Sequence, residues 1–224
     1  MARTRGADLL ILAAHAPELV GLRAALGADL AGSVSNVRVV CATVGVGLPA
    51  AAAGTQHQLR ETRARAVVLL GSCGLYPRRT EFRPLQVVVP DAVQLVDAGV
   101  VNGKAAFPGP MQHVLTPSTT LSEGLAAQDP AVLRSGVATT LGITTDDAHA
   151  RKLGRKTGCG AENLEAFAVA LACEAHALPF ASVLVATNAV GSQGRAQWRE
   201  HQRKAAERGA RLLLRWLKRG ATGL

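Results

Sequence analysis

Apolar residues along this chain gather in short, nearly unbroken runs, and segments with helical spacing lie between them. Leu9 to Ala14 and Ala66 to Leu70 have no polar break, and Val37 to Val44 is apolar but for Arg38 and Thr43, so each predicts a buried strand. Between them, Glu18 to Leu26 predicts a short helix and Leu48 to Arg63 an alanine-rich one. Strands that are apolar on both faces need cover on both, which places helices on either side of a sheet. Further on, Glu162, Asn163 and Glu165 open an apolar-periodic helix, and Phe180 to Ala186 reads as the strand after it, with Thr187 and Asn188 where that strand runs out. The stretch from Leu75 to Thr120 is different. It holds most of the prolines and two short Val-rich runs, Gln86 to Val89 and Gln94 to Val101, and reads as a β-rich excursion with long loops. With no internal repeat and no low-complexity linker, residues 1–224 are expected to form one α/β domain.

Composition narrows the class. A 224-residue chain that is 48% hydrophobic can bury a sizeable core. No apolar run approaches the ~20 residues of a membrane span, and the apolar run before Pro17 is short for an export signal, so a cytoplasmic protein with no membrane partner is expected. Cys41, Cys73, Cys159 and Cys173 have no paired spacing, which argues for buried thiols and against a metal site. The net charge of +9 lies largely in the last helix, where Trp198, Ala205, Leu212, Leu213 and Trp216 form an inner stripe. With aromatics at only 3%, a solvated basic face is expected there, with no nucleic-acid partner.

Ligands of open α/β sheets settle beyond the carboxyl ends of strands, so the turns there are the places for chemistry. The first, AAHAPE, carries His15, a helix-starting Pro17 and Glu18. The second, VGVGLPAAAAG, lacks the third glycine of a dinucleotide fingerprint, but Gly45 and Gly47 allow close approach of a ligand or a helix. The third, GSCGLYP, is a small-residue turn whose Ser72, Cys73 and Gly74 suit a pocket floor. Asp146 and Asp147 open a helix and read as caps.

The order AxxxxE, GxG before an alanine-rich helix, GSxG, ENLEAxAVA, PF and TN, from Leu9 to about Trp216, resembles the nucleoside phosphorylase and nucleosidase family. The ENLE block, the asparagine after the PF strand and VGxxxRxxW are most similar to its futalosine hydrolases, with the methylthioadenosine/S-adenosylhomocysteine nucleosidases close by. The resemblance implies a three-layer α/β/α sandwich with a central twisted mixed sheet, cleavage of the N-glycosidic bond of a purine nucleoside, no cofactor and a homo-oligomer, dimer or larger. For a futalosine-type substrate it also implies a step of menaquinone biosynthesis.

Position by position, the resemblance implies that Glu18 activates the attacking water and that Glu165 accepts the ribosyl hydroxyls, with Leu164 in place of the usual methionine. Asn163 adjoins this pair. Ser72, Cys73 and Gly74 fall beside base and sugar, as does the Gly45 turn. The base-stacking aromatic expected around Leu141 to Asp147 is missing, and Thr144 and Thr145 stand in its neighbourhood. Asn188, beside Thr187, replaces an aspartate that acts as acid at purine N7. An amide accepts through its oxygen and donates through its nitrogen, which suits a 6-oxopurine better than adenine. The helix dipole is expected to keep Glu165 ionised. The first turn lacks a phosphate-binding arginine and Leu184 replaces another, favouring hydrolysis, although Arg78, Arg79 and Arg83 are candidates for phosphate contacts. His15 is a loop histidine or a contact for the 5′ substituent, and Arg195 and Trp198 either close the site or, for Trp198, fill the core. A phosphorylase of the same fold, a methylthioadenosine-type nucleosidase and a noncatalytic nucleoside binder stay open.

Overall fold

The computed structural model describes residues 5–77 and 82–224. Its order is β1 (Arg5–Gly6), β2 (Leu9–Ala13), a 3₁₀ helix (Ala16–Leu22), α1 (Arg23–Leu26), β3 (Ala31–Val34), β4 (Val37–Thr43) and α2 (Leu48–Glu61). Then come β5 (Thr62–Arg63), β6 (Ala66–Leu75), β7 (Val87–Leu95), α3 (Ala98–Val101), β8 (Val114–Leu115), α4 (Thr119–Ala126) and β9 (Leu133–Thr139). The chain closes with α5 (Asp147–Thr157), β10 (Ala161–Glu162), α6 (Ala166–Ala175), β11 (Phe180–Ala189) and α7 (Gly194–Lys218).

The main sheet runs β10-β9-β7-β11-β6-β2-β4-β3, with β8 on β7. Parallel pairs dominate its centre, and β11 with β7 and β3 with β4 are antiparallel, giving the mixed sheet the family pattern implied. Each strand divides its apolar residues between two cores. Leu9 and Ile11 pack on one side with Leu121, Leu213 and Trp216, while Leu10 and Leu12 pack on the other with Ala51, Val169 and Cys173. Helices α4 and α7 therefore cover one face and α2 and α6 the other. Helix α6 lies with seven of its residues buried, including Phe167, Val169 and Cys173, because it is apolar around its whole circumference.

Several expectations change. The helix from Glu18 is mostly a 3₁₀ turn that becomes α-helical only at Arg23. The supposed GSCG turn continues β6. Gln94 to Val101 divides into the end of β7 and helix α3, and β7 is a central strand, not an excursion. Glu162 belongs to a two-residue strand, not to a helix start. That short strand pairs with β9 on one side and β6 on the other, so the sheet is not open at that end.

Among the described residues no helix is long and apolar enough to cross a membrane. The four cysteines are buried and unpaired with one another, and burial pushes the thiols of Cys41, Cys73 and Cys173 up to about 12. Among the described residues no His, Cys, Asp and Glu group is disposed to hold a metal ion.

Candidate active site

Beyond β2 the chain passes through Ala14 and His15 into the 3₁₀ helix, with Pro17 in its first turn. Glu18 folds back from that turn onto two strand ends. Its Oε2 accepts the Ala14 N–H at 3.0 Å, and its Oε1 accepts the Ser72 N–H at 3.0 Å and the Ser72 hydroxyl at 3.3 Å. The second carboxylate, Glu165, stands at the N-cap of α6. Its Oε1 accepts the Gly47 N–H at 2.8 Å and its Oε2 accepts from Asn163 Nδ2 at 2.9 Å.

Asn163 is the side chain that caps α6, its Oδ1 accepting the N–H groups of Glu165 and Ala166 at 2.9 and 2.8 Å. Its Nδ2 also donates to the Ser72 carbonyl at 3.0 Å. The Ser72 peptide thus touches both halves of the site: its N–H serves Glu18 and its carbonyl holds Asn163, which serves Glu165.

The Glu165 environment corrects an electrostatic expectation. Burial pushes its carboxyl above the ordinary value, and the Glu18 charge pushes the same way. The Gly47 N–H, the Asn163 amide and His15 pull it down without reversing the shift. The helix terminus reaches this group through a few specific donors, and they do not outweigh desolvation.

At the other end of the site, β11 does not run out at Ala186. It bulges. Ala186 pairs with Cys73 and Asn188 with the next residue, Gly74, leaving Thr187 as the extra residue. A bulge re-aims the side chains around it. The Thr187 hydroxyl shares its proton between Asn188 Oδ1 at 2.8 Å and the Cys73 carbonyl at 3.2 Å, and Asn188 Nδ2 donates to the Ala189 carbonyl at 2.9 Å. One N–H and one lone pair of the Asn188 amide remain beyond these bonds. Gly74 makes room for the amide, since a Cβ there would stand 2.8 Å from Asn188 Nδ2.

A third carboxylate lies nearby, on β10. Glu162 Oε2 accepts the Tyr76 hydroxyl at 2.8 Å and the Thr144 hydroxyl at 2.7 Å, while Oε1 accepts the Thr144 N–H at 3.0 Å. Burial, then the Glu162 charge, raise the Tyr76 phenol far above its usual range. Sequence reasoning gave Glu162 only a helix-opening role. The three donors that make it a site group come from distant segments, and only the glutamate itself was visible.

The three carboxylates, Glu162 included, share one cavity of about 780 Å³. Glu18, Glu165, Asn163, Leu164, Ser72, Cys73 and Gly74 line it, as do Thr144, Thr145, Thr187 and Asn188. Gly45 is not among the lining residues. Its φ of +96° and the Ala50 Cβ, 2.8 Å from where its own Cβ would be, make it a turn residue that seats α2. Val46, Ile143 and Val190 supply apolar wall that the sequence reading missed. Ile143 lies two residues after the exposed Leu141, and no periodicity marks either as a pocket residue.

His15, Arg195 and Trp198 also face the cavity. The His15 and Trp198 rings stack loosely, with centroids 6.4 Å apart, so Trp198 is a wall residue and not core. Arg83 is exposed and away from the cavity, and Arg78 and Arg79 lie outside the described residues. Asp146 caps α5 by accepting the His149 N–H at 2.6 Å, and Asp147 accepts the N–H and hydroxyl of Ser192, which hold its carboxyl below the usual range.

Comparison with protein-family models matches residues 20–218 to the one described as the phosphorylase superfamily. No curated protein matches the chain. Among solved structures, a mutant methylthioadenosine nucleosidase of Helicobacter pylori, with 5′-methylthioadenosine in its active site, is similar at TM-score 0.85 and 16% identity, covering 96% of this chain and 99% of that one. Futalosine hydrolase of the same organism gives 0.83 and 14%, covering 96% and 98%. The 5′-methylthioadenosine/S-adenosylhomocysteine nucleosidase of Neisseria meningitidis, in complex with methylthio-immucillin-A, gives 0.82 and 19%, covering 94% and 98%.

Proposed function

The chain belongs to the phosphorylase superfamily, and from that premise we propose that it is a nucleosidase that hydrolyses the N-glycosidic bond of a 6-oxopurine nucleoside such as futalosine. The observation that carries this reading is the joining of Glu18 and Glu165 through the Ser72 peptide and Asn163 on the wall of one cavity. Two carboxylates held this way suit an oxocarbenium-like path, in which positive charge grows on the ribosyl carbon. Glu165 grips the ribosyl hydroxyls, and Glu18 takes a proton from the attacking water.

Asn188 meets the base. Its oxygen accepts from a purine protonated at N7, and its nitrogen donates to a 6-oxo group; an adenine amino group would leave donor against donor. Water is favoured over phosphate as nucleophile by the charges on the cavity wall, where Glu18, Glu162 and Glu165 face a lone arginine, Arg195, among the described residues. An inorganic dianion entering that wall meets more repulsion than support.

Incubation with futalosine, inosine, methylthioadenosine and S-adenosylhomocysteine, with and without phosphate, tests the reading through the free base released. Hypoxanthine release at the same rate in either buffer is expected. Turnover that requires phosphate and yields a sugar 1-phosphate would overturn hydrolysis, and a preference for the adenine nucleosides would overturn the base assignment.

A further inference from the structure

A second cavity of about 380 Å³ lies behind the first. The two share His15, Glu18, Ser72 and Trp198, and beyond these the second is lined by α7 residues including Arg199, Gln202 and Arg203. Glu18 therefore stands where a chamber sized for a nucleoside meets a smaller one on the α7 side.

His15 lines both chambers beside it. Its Nδ1 is cut off from solvent and has no hydrogen-bond partner, although it lies 3.3 Å from Glu18 Oε2, a charge-pairing distance without hydrogen-bond alignment. A third of the His15 side chain stays open to solvent. An unpartnered buried nitrogen is costly unless something uses it. Glu18 already accepts three bonds from Ala14 and Ser72, and these leave it few sites on which to keep a further proton.

We propose that His15 is a proton-relay residue for Glu18, carrying the proton taken from the attacking water out of the sugar chamber and into the second cavity. The proposal rests on the hydrolytic reading above. As the water oxygen bonds to the ribosyl carbon, the C–N bond breaks and its electron pair goes to the purine. The water proton passes to Glu18 and then to Nδ1 of neutral His15. The proton on Nε2 leaves to solvent, and the departing purine takes one proton from solvent. No other reactant is needed.

The charged groups lining the two cavities around the ring are Glu18 on its own turn, Glu162 and Glu165 across the sugar chamber, and Arg195, Arg199, Arg203 and Glu207 from α7. The Glu18 carboxylate raises the imidazole above its ordinary value, against burial, and Glu165 adds to the rise. The acceptor form of His15 is therefore reached on the alkaline side of an ordinary histidine.

The test has two parts. Nuclear magnetic resonance titration of the His15 ring in the wild-type chain and in Glu18→Gln is expected to show a midpoint that falls when the carboxylate is removed. An unchanged midpoint would overturn the coupling whether or not the enzyme turns over. Second, kcat against pH for the wild type is expected to rise through the His15 midpoint; His15→Gln should lose that limb and about tenfold or more of kcat at unchanged KM. In His15→Ala, added imidazole should restore part of the rate. A His15→Gln enzyme with wild-type kcat and the same rising limb would end the relay alone. A wild-type chain that releases no base from any of the four nucleosides would end the hydrolytic reading, with the relay role falling beside it.

Discussion

The Gly47 N–H donates to Glu165 Oε1 at 2.8 Å across a separation of 118 residues. One donor from the start of α2 thus orients a carboxylate at the start of α6, and it does so where burial opposes the charge. Function and stability are set against each other at this residue.

Glu165→Gln should abolish base release; its amide nitrogen must face the Gly47 N–H or Asn163 Nδ2, which costs a bond, while removal of the buried charge gives back stability as pH rises. The carboxyl is raised in the folded state, so the native form binds more protons than the unfolded chain between the ordinary carboxylate value and the shifted one. Stability is undiminished below the unfolded value and falls as pH rises toward the folded one. The stability of the variant relative to wild type should therefore increase from pH 4 to pH 8. Melting curves across that range check it, at about 2–4 °C per kcal/mol for a chain of this size. A constant difference at all pH values would contradict the sign.

Glu18→Gln keeps one oxygen, for either the Ala14 or the Ser72 N–H, turns its amide nitrogen toward the other and loses the base. A fall in kcat of about 10²- to 10⁴-fold is expected, with nucleoside binding close to wild type and a lower melting temperature from the backbone donor left unpaired. Isothermal titration with inosine, beside turnover, separates binding from chemistry.

Asn188→Asp should move base preference toward adenine, by about 10-fold or more in the ratio of methylthioadenosine to inosine turnover. Gly74→Ala approaches the same group from behind, with a Cβ that must displace the Asn188 amide. It should lower turnover of 6-oxopurine nucleosides most and narrow the preference without reversing it. Competition assays with paired nucleosides distinguish the two outcomes.

Tyr76→Phe removes one of the three donors to buried Glu162. The loss should cost about 1–3 kcal/mol of stability, read by urea denaturation, because the carboxylate stays buried with a partner missing. Little change would mean that the two Thr144 bonds suffice.

The strands that cross the middle of the sheet were legible because their apolar runs are unbroken, as in Leu9 to Ala13, or broken once, as by Ser182 in Phe180 to Ala186. Glu18, Glu165 and Asn188, singled out through the family resemblance, come together on one cavity wall. Strand β9 was missed, since LRSGVAT mixes Arg134, Ser135 and Gly136 into its length and only burial from both sides makes it a strand. The extension of β6 through Gly71 to Leu75 was hidden by its glycines, which mark turns in isolation but here admit Glu18 and Asn188 against the backbone. The raised carboxyl of Glu165 was likewise beyond reach, because desolvation is a property of the assembled chamber and not of a helix start.

The double pairing of β10 has its own consequence. Strands β6, β11, β7, β9 and β10 close into a hoop, each bonded to the next and the last to the first. Ser72, Glu162 and Asn188 sit on that hoop, so their spacing is locked as in a keystone arch, and none can shift without breaking a ladder. Whatever breathing admits a nucleoside or frees a base must come from the segments laid against the hoop: the turn bearing His15, the start of α7 and the loop carrying Ile143.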